Sequence, residues 1–251
     1  MNLAHATHEN NSFGLWRRTA VASSGMEPYA VAGRVMRIAV LGTGTMGMAL
    51  GRLFSRAGHD VVFGSRSPER ALTAAAAVRR ASGSSYEGAL VGSDLVALAL
   101  TWPDVGPLLS GIGVWSGRIL LDCTNPEPPS GRGLLLGHST SGAEQIAKGA
   151  AGARVVKALN HIYAEALDAL RRDGAAPRPV AFYCGDEDAS KEVVASLLDG
   201  VGLRPVDAGP LASARYLEPL AALMVELVRG RGRAPVEAAR LVDAPRQPAR
   251  V

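Results

Sequence analysis

A chain of 251 residues, 47% hydrophobic and 20% charged, is long enough for one substantial core with an appended lobe and too apolar to be a disordered chain. Its formal net charge of +4 comes without a basic stripe interleaved with aromatics, so nucleic-acid binding is not indicated; no apolar run reaches the ~18 residues of a membrane span either. The two cysteines, Cys123 and Cys184, lie far apart without metal-ligand spacing, so free thiols, no metal site and a cytoplasmic location are expected.

Residues 1–35 scatter His, Asn, Ser and Gly without helical or strand periodicity, and a disordered N-terminal extension is expected there. The apolar run from Met36 to Leu41 reads as a strand entering Gly42-Thr43-Gly44-Thr45-Met46-Gly47, followed by a helix from Met48 to Ala57. This is G-x-G-x-x-G in a dinucleotide-binding setting. Gly42 permits the tight turn, Gly44 leaves a pyrophosphate unobstructed, and Gly47 lets the helix pack closely on the strand. The helix aims its free N–H groups and the positive end of its dipole at that phosphate.

The second strand, His59 to Gly64, decides which dinucleotide. An NAD site places a carboxylate about 20 residues beyond the glycines, on the ribose 2′-hydroxyl. Here the strand ends instead in Ser65 and Arg66, with Arg70 one helical turn further on. A hydroxyl and two guanidinium groups suit a 2′-phosphate, so NADP(H) is the expected cofactor.

An alanine-rich helix is expected over Pro68 to Ala81, then a strand over Asp94 to Leu100 whose end, Thr101-Trp102-Pro103, opens another helix. A fifth strand, Arg118 to Asp122, empties into a proline- and glycine-rich loop, Cys123 to Gly137, long enough to line a site and carrying Asn125 near its start. Ser141 and Glu144 have capping-box spacing. The sixth strand, Arg154 to Leu159, ends at Asn160 and His161. Strands alternating with helices in this way predict an α/β fold, a Rossmann-type doubly wound, mostly parallel sheet. The NADP-binding domain is expected over 36–160, a smaller C-terminal α/β lobe over 161–229, and a disordered tail over 230–251. Ligands bind beyond the carboxyl ends of such strands. The candidate floor is therefore Gly42–Gly47, Ser65–Arg66, Thr101–Pro103, Cys123–Pro126 and Asn160–His161.

The last helix, Pro210 to Val228, has an apolar face on which a homodimer contact is expected. Near its start Arg215 and Glu218 read either as a local pair or with Arg215 held over a phosphate or carboxylate.

From Met36 to about Arg229 the chain resembles the NADP oxidoreductases that use the deazaflavin coenzyme F420, and their broader reductase family. The matching pieces are Gly42–Gly47, Gly64-Ser65-Arg66, Ser141–Ala147, Val155–Leu159, Cys184–Asp188 and the narrower run Asp207–Glu218. The resemblance implies hydride exchange between NADPH and the deazaflavin, with 2′-phosphate recognition on Ser65, Arg66 and Arg70. It also implies that Thr101, Trp102 and Pro103 flank the nicotinamide ribose, and that Asn160, His161 and Ile162 lie where nicotinamide meets the deazaflavin ring. The loop Cys123–Gly137 and Tyr163 depart from the deazaflavin-using members, and the family includes enzymes with other acceptors.

Hydride transfer between two heterocycles needs no acid or nucleophile from the protein. A small imine or carbonyl acceptor would need a proton donor, for which His161 and Tyr163 are the placed candidates. A third reading is a non-catalytic NADP(H)-binding redox sensor.

Overall fold

Several strands of this protein are buried without alternation. Ile38–Leu41, Leu95–Leu98 and Ile119–Asp122 expose almost nothing on either face, as a sheet covered on both sides requires. The computed structural model describes residues 34–131, 133–170 and 178–231. Nearly all of the expected N-terminal extension and of the expected tail lie outside the described residues.

The first half alternates β1 (Arg37–Leu41), α1 (Thr45–Arg56), β2 (Asp60–Gly64), α2 (Pro68–Ala76), β3 (Ala81–Ser84), α3 (Tyr86–Leu90), β4 (Leu95–Leu98) and α4 (Trp102–Gly111). It continues through β5 (Ile119–Asp122), α5 (Gly142–Gly149), β6 (Arg154–Ala158) and α6 (Ala164–Asp168). The chain then forms β7 (Val180–Gly185), α7 (Asp188–Gly200), β8 (Arg204–Asp207), a 3-10 turn at Leu211–Ser213 and α8 (Ala214–Arg231). The eight strands among the described residues share one sheet in the order β3-β2-β1-β4-β5-β6-β7-β8. The chain reverses direction across the sheet between β1 and β4, which puts a ligand crevice at their carboxyl ends.

Two features differ from the pattern expected from the sequence. The helix expected over Pro68–Ala81 stops at Ala76, and Arg80 takes a left-handed φ of 52° that turns the chain into β3, an edge strand parallel to β2. The C-terminal α/β segment does not stand apart from the nucleotide-binding half: β7 pairs antiparallel with β6, and β8 runs parallel to β7, so the sheet is continuous. Apolar side chains from α1, α6 and α7 fill one face, and those from α4, α5 and α8 fill the other. Among the described residues no helix is long and apolar enough to cross a membrane.

Candidate functional site

The turn after β1 is built from backbone demands that only glycine meets. Gly42 has φ +123°, and a Cβ there would lie 2.2 Å from the Ala99 carbonyl oxygen. A Cβ on Gly47 would lie 2.1 Å from the Gly42 carbonyl oxygen, so the first turn of α1 presses directly on the loop. Gly44 is different: no atom lies within 4 Å of its absent Cβ, and the space beside it is open. Gly44 is also the N-cap of α1, whose start has no side-chain cap and no acidic residue in its first turn. The first N–H groups of α1 therefore have no intrahelical acceptor and face the crevice, a ready anion site.

On one side of Gly44 is a recess of about 230 Å³ that includes Thr43, Ser65, Arg66 and Arg70. Ser65 is buried and its hydroxyl accepts from the Ser67 N–H, while Ser67 caps α2. Arg66 is 71% exposed and reaches across the recess to Asp104 of α4, Nη1 to Oδ1 at 3.0 Å. The Thr101 hydroxyl donates to the other oxygen of Asp104 at 2.8 Å. Asp104 and Tyr86, which also line this recess, are residues that sequence reasoning missed, because they come from α4 and α3 rather than from the strand end.

On the other side is a cleft of about 600 Å³. Thr45, Met46, Thr101, Trp102 and Pro103 form one wall, Asn125 and Asn160 the floor, and the segment Glu127–Pro129 with Gly131 the far wall. The two recesses share Gly44, Ala99, Leu100 and Thr101, so they form one groove over the ends of β1 and β4. The floor is locked by a reciprocal amide pair. Asn125 donates to the Asn160 carbonyl at 2.9 Å, and Asn160 donates to Asn125 Oδ1 and the Leu217 carbonyl, each at 3.0 Å. Arg229 of α8 holds the far wall by donating to the Gly131 carbonyl at 2.8 Å.

Beneath the floor lies a buried charge cluster. Lys157 is fully buried, with its Nζ 2.8 Å from Asp122 Oδ2, 3.0 Å from Glu218 Oε1 and 2.8 Å from the Thr124 carbonyl. Burial works against the ammonium, but the two carboxylates outweigh it and raise the Lys157 pKa. Glu218 also accepts from the N–H groups of Gly142 and Ala143, capping α5 from α8. Asp122 Oδ1 takes both the N–H and the hydroxyl of Thr124, a cleft residue. The cluster thus fixes the end of β5 where it meets the site.

Neither of the proton donors suggested by the sequence is among the residues lining the cleft. Leu159 adopts a left-handed φ of 64°, after which Asn160 faces the cleft while His161 packs into the layer behind it against Phe182. Burial drives the His161 pKa down to about 4, so it is a neutral packing residue at physiological pH. The Tyr163 hydroxyl donates to the Met224 carbonyl at 3.4 Å, and burial raises its pKa. Cys123 lines the cleft, but burial pushes its thiol well above the usual range. Arg215 and Glu218 do not pair with each other: Arg215 forks onto Glu144 at 2.6 and 2.9 Å, while Glu218 faces inward to Lys157.

Known proteins resemble this chain in sequence and fold. A family model described as NADP oxidoreductase, coenzyme F420-dependent, matches residues 37–126. The F420-dependent NADP reductase of Methanothermobacter thermautotrophicus is 32% identical over 220 residues, covering 79% of this chain and 92% of that protein. The rat metalloreductase STEAP3 is 33% identical over 184 residues, 73% of this chain, which spans only 36% of that relative's length. Among solved structures, a protein from Arthrobacter sp. FB24, whose F420-dependent NADP reductase assignment is itself provisional, superposes with a TM-score of 0.72. It is 28% identical and covers 80% of this chain and 96% of its own. A reductive aminase from Aspergillus terreus, solved with NADPH, shares the fold alone at 21% identity and a TM-score of 0.54, over 84% of this chain and 72% of its own.

Proposed function

The chain belongs to the coenzyme F420-dependent NADP oxidoreductase family, and from that membership we propose that it exchanges hydride between NADP(H) and coenzyme F420 bound in the cleft beside Asn125 and Asn160. The observation that carries the reading is the continuous groove. A glycine turn and an uncapped helix start lie at its centre, two arginines at one end, and a roomy proline-walled cleft at the other. In this reading the N–H groups of residues 45–47 hold the pyrophosphate, and Ser65, Arg66 and Arg70 hold the 2′-phosphate. Thr101, Trp102 and Pro103 flank the nicotinamide ribose. When bound, the dihydronicotinamide supplies a hydride, and the protein's work is to align donor and acceptor carbons and exclude water between them.

Asn125 and Asn160 suit that work. Their amides are fixed by each other and by Leu217, so they offer positioned polar groups without rotamer freedom to lose. A cytoplasmic location belongs to the same reading. So does a homodimer through α8, where Tyr216, Leu220, Leu223 and Leu227 recur at helical spacing and Tyr216 and Leu223 are 77% and 54% exposed.

The test mixes purified protein with NADPH and oxidised coenzyme F420 and follows loss of the deazaflavin's visible absorbance. Bleaching that requires NADPH, with NADH much poorer, is expected. Absence of bleaching in protein that demonstrably binds NADPH would remove F420 as the acceptor and leave reduction of a small imine or carbonyl.

A further inference from the structure

We infer that Glu127 is the acid of the acceptor cleft, holding a proton at its carboxyl and passing it to a ring nitrogen of the acceptor as hydride arrives at carbon. The inference rests on the proposed acceptor reaction and departs from the expectation that hydride transfer between two rings needs no acid from the protein: reducing the acceptor adds a proton as well as a hydride, and Glu127 supplies it.

Glu127 lies where the loop after β5 folds over the cleft, its N–H donating to the Asn125 carbonyl at 2.8 Å, and it lines the cleft together with Trp102 and Pro103. The backbone bond ties Glu127 to the same Asn125 that is locked against Asn160, so the acid is set on a rigid support. Its carboxyl is partly buried and accepts no hydrogen bond and forms no ion pair among the described residues. Other glutamates without an ion pair or a side-chain hydrogen bond among the described residues, Glu87, Glu165, Glu192 and Glu226, are exposed to solvent, whereas Glu127 is an unpartnered, partly desolvated carboxyl in a cleft, which has little structural purpose.

The groups facing it are few. The guanidinium of Arg229 comes from α8 and the phenol of Tyr163 precedes α6, with Glu165 and Glu226 beyond that phenol. Arg229 is within electrostatic reach, yet its Nη1 is spent on the Gly131 carbonyl. Burial raises the Glu127 pKa and Arg229 pulls it back, and the net direction is upward. The other titratable side chain lining the cleft among the described residues is the Cys123 thiol, which burial makes inert.

The step balances without further reagents. Two electrons leave the dihydronicotinamide with the hydride, giving NADP+, and a C–H bond forms on the acceptor. The Glu127 O–H bond breaks as an N–H bond forms, and the carboxylate regains a proton from solvent through the open mouth of the cleft. In the reverse direction the carboxylate takes that proton back.

The test compares wild type, Glu127→Gln and Glu127→Asp in both directions across pH, together with an infrared titration of the carboxyl band in protein without cofactor. Wild-type F420 reduction should fall on the alkaline side, and the reverse reaction should rise, with one midpoint. Glu127→Gln should lower kcat about 100-fold and flatten both profiles. Glu127→Asp should recover part of the rate, and the NADPH dissociation constant should stay within about twofold in all three. The infrared difference between wild type and Glu127→Gln should titrate above the ordinary glutamate range. A Glu127→Gln enzyme with wild-type rate and pH profile would overturn the assignment. If no variant bleaches F420 while all bind NADPH, the acceptor reading has failed on its own. The infrared titration then decides: a Glu127 band titrating like an exposed carboxylate overturns the acid, and one titrating towards neutrality supports it.

Discussion

Arg66 is the sharpest place to perturb cofactor choice, because its present partner is visible. A charge-assisted hydrogen bond from a guanidinium to a phosphate contributes about 1.5–3 kcal/mol. The guanidinium is not idle in the unliganded protein: it lies 3.0 Å from Asp104, and with 71% and 31% side-chain exposure this pair ranks with surface ion pairs worth about 0.2–1 kcal/mol. If a 2′-phosphate takes Arg66 from Asp104, the net preference is about 0.5–2.8 kcal/mol, which is roughly 2- to 100-fold in affinity. Arg66→Ala should therefore raise the NADPH dissociation constant by that factor and move NADH by no more than about twofold. Asp104→Asn should act in the opposite sense. It removes both the competitor for Arg66 and a negative charge facing the phosphate, and should tighten NADPH up to about fivefold. Titrating cofactor fluorescence at low and high salt measures both, and the NADPH effects should shrink as salt screens them. Equal losses for NADPH and NADH in Arg66→Ala, or weaker NADPH binding in Asp104→Asn, would refute the 2′-phosphate assignment.

Three further outcomes follow from the same geometry. Lys157→Met strands two buried carboxylates and should cost about 3–5 kcal/mol in urea unfolding, whereas Arg215→Ala, at a partly exposed pair, should cost at most about 1 kcal/mol. His161 has its folded pKa lowered to about 4 from an ordinary 6.5, so between those values the unfolded chain binds the extra proton. Stability should then fall as pH drops from about 6.5 to 4, by about 3 kcal/mol in all, and His161→Phe should remove that slope in denaturant titrations at stepped pH. Gly44→Ala should fold with an unchanged melting temperature yet bind NADPH about tenfold more weakly, because its new methyl enters the open space where the proposed reading puts the pyrophosphate. Gly47→Ala, with backbone 2.1 Å from the new Cβ, should lose stability instead, as thermal melts of the two variants would show.

Much of this site is legible in the sequence because its geometry is local. A hexapeptide with glycine at three positions, set between an apolar strand and a helix, carries its own backbone requirements, and Gly42 and Gly47 meet them through contacts within the turn or with the neighbouring strand. The strand ends bearing Ser65, Thr101, Asn125 and Asn160 follow from the alternation of apolar runs and turns, and the groove runs over them. What escapes is the choice of partner. Asp104 reaches Arg66 only because β4 lies beside β1, and His161 turns away from the cleft only because Leu159 takes a left-handed conformation that no local residue pattern announces. Glu127 sits in a loop whose course is set by Asn125 below it and Arg229 above, so its position is a tertiary fact. The buried cluster is an intermediate case. Asp122 ends the otherwise apolar β5 and Lys157 lies within the buried run of β6, and once β5 and β6 are taken as parallel neighbours the two fall opposite each other in register. Unlike charges at one level of a buried sheet must meet, since either alone would be too costly to bury. That rule finds the pair from sequence, and it leaves a second carboxylate to be supplied from elsewhere. Glu218 supplies it from the second turn of α8, where it also ends the search for acceptors at the start of α5. The cofactor groove and the C-terminal helix are thus tied through one buried ammonium, and a change at Glu218 should be felt at the cleft floor through Asp122 and Thr124 rather than through any surface contact.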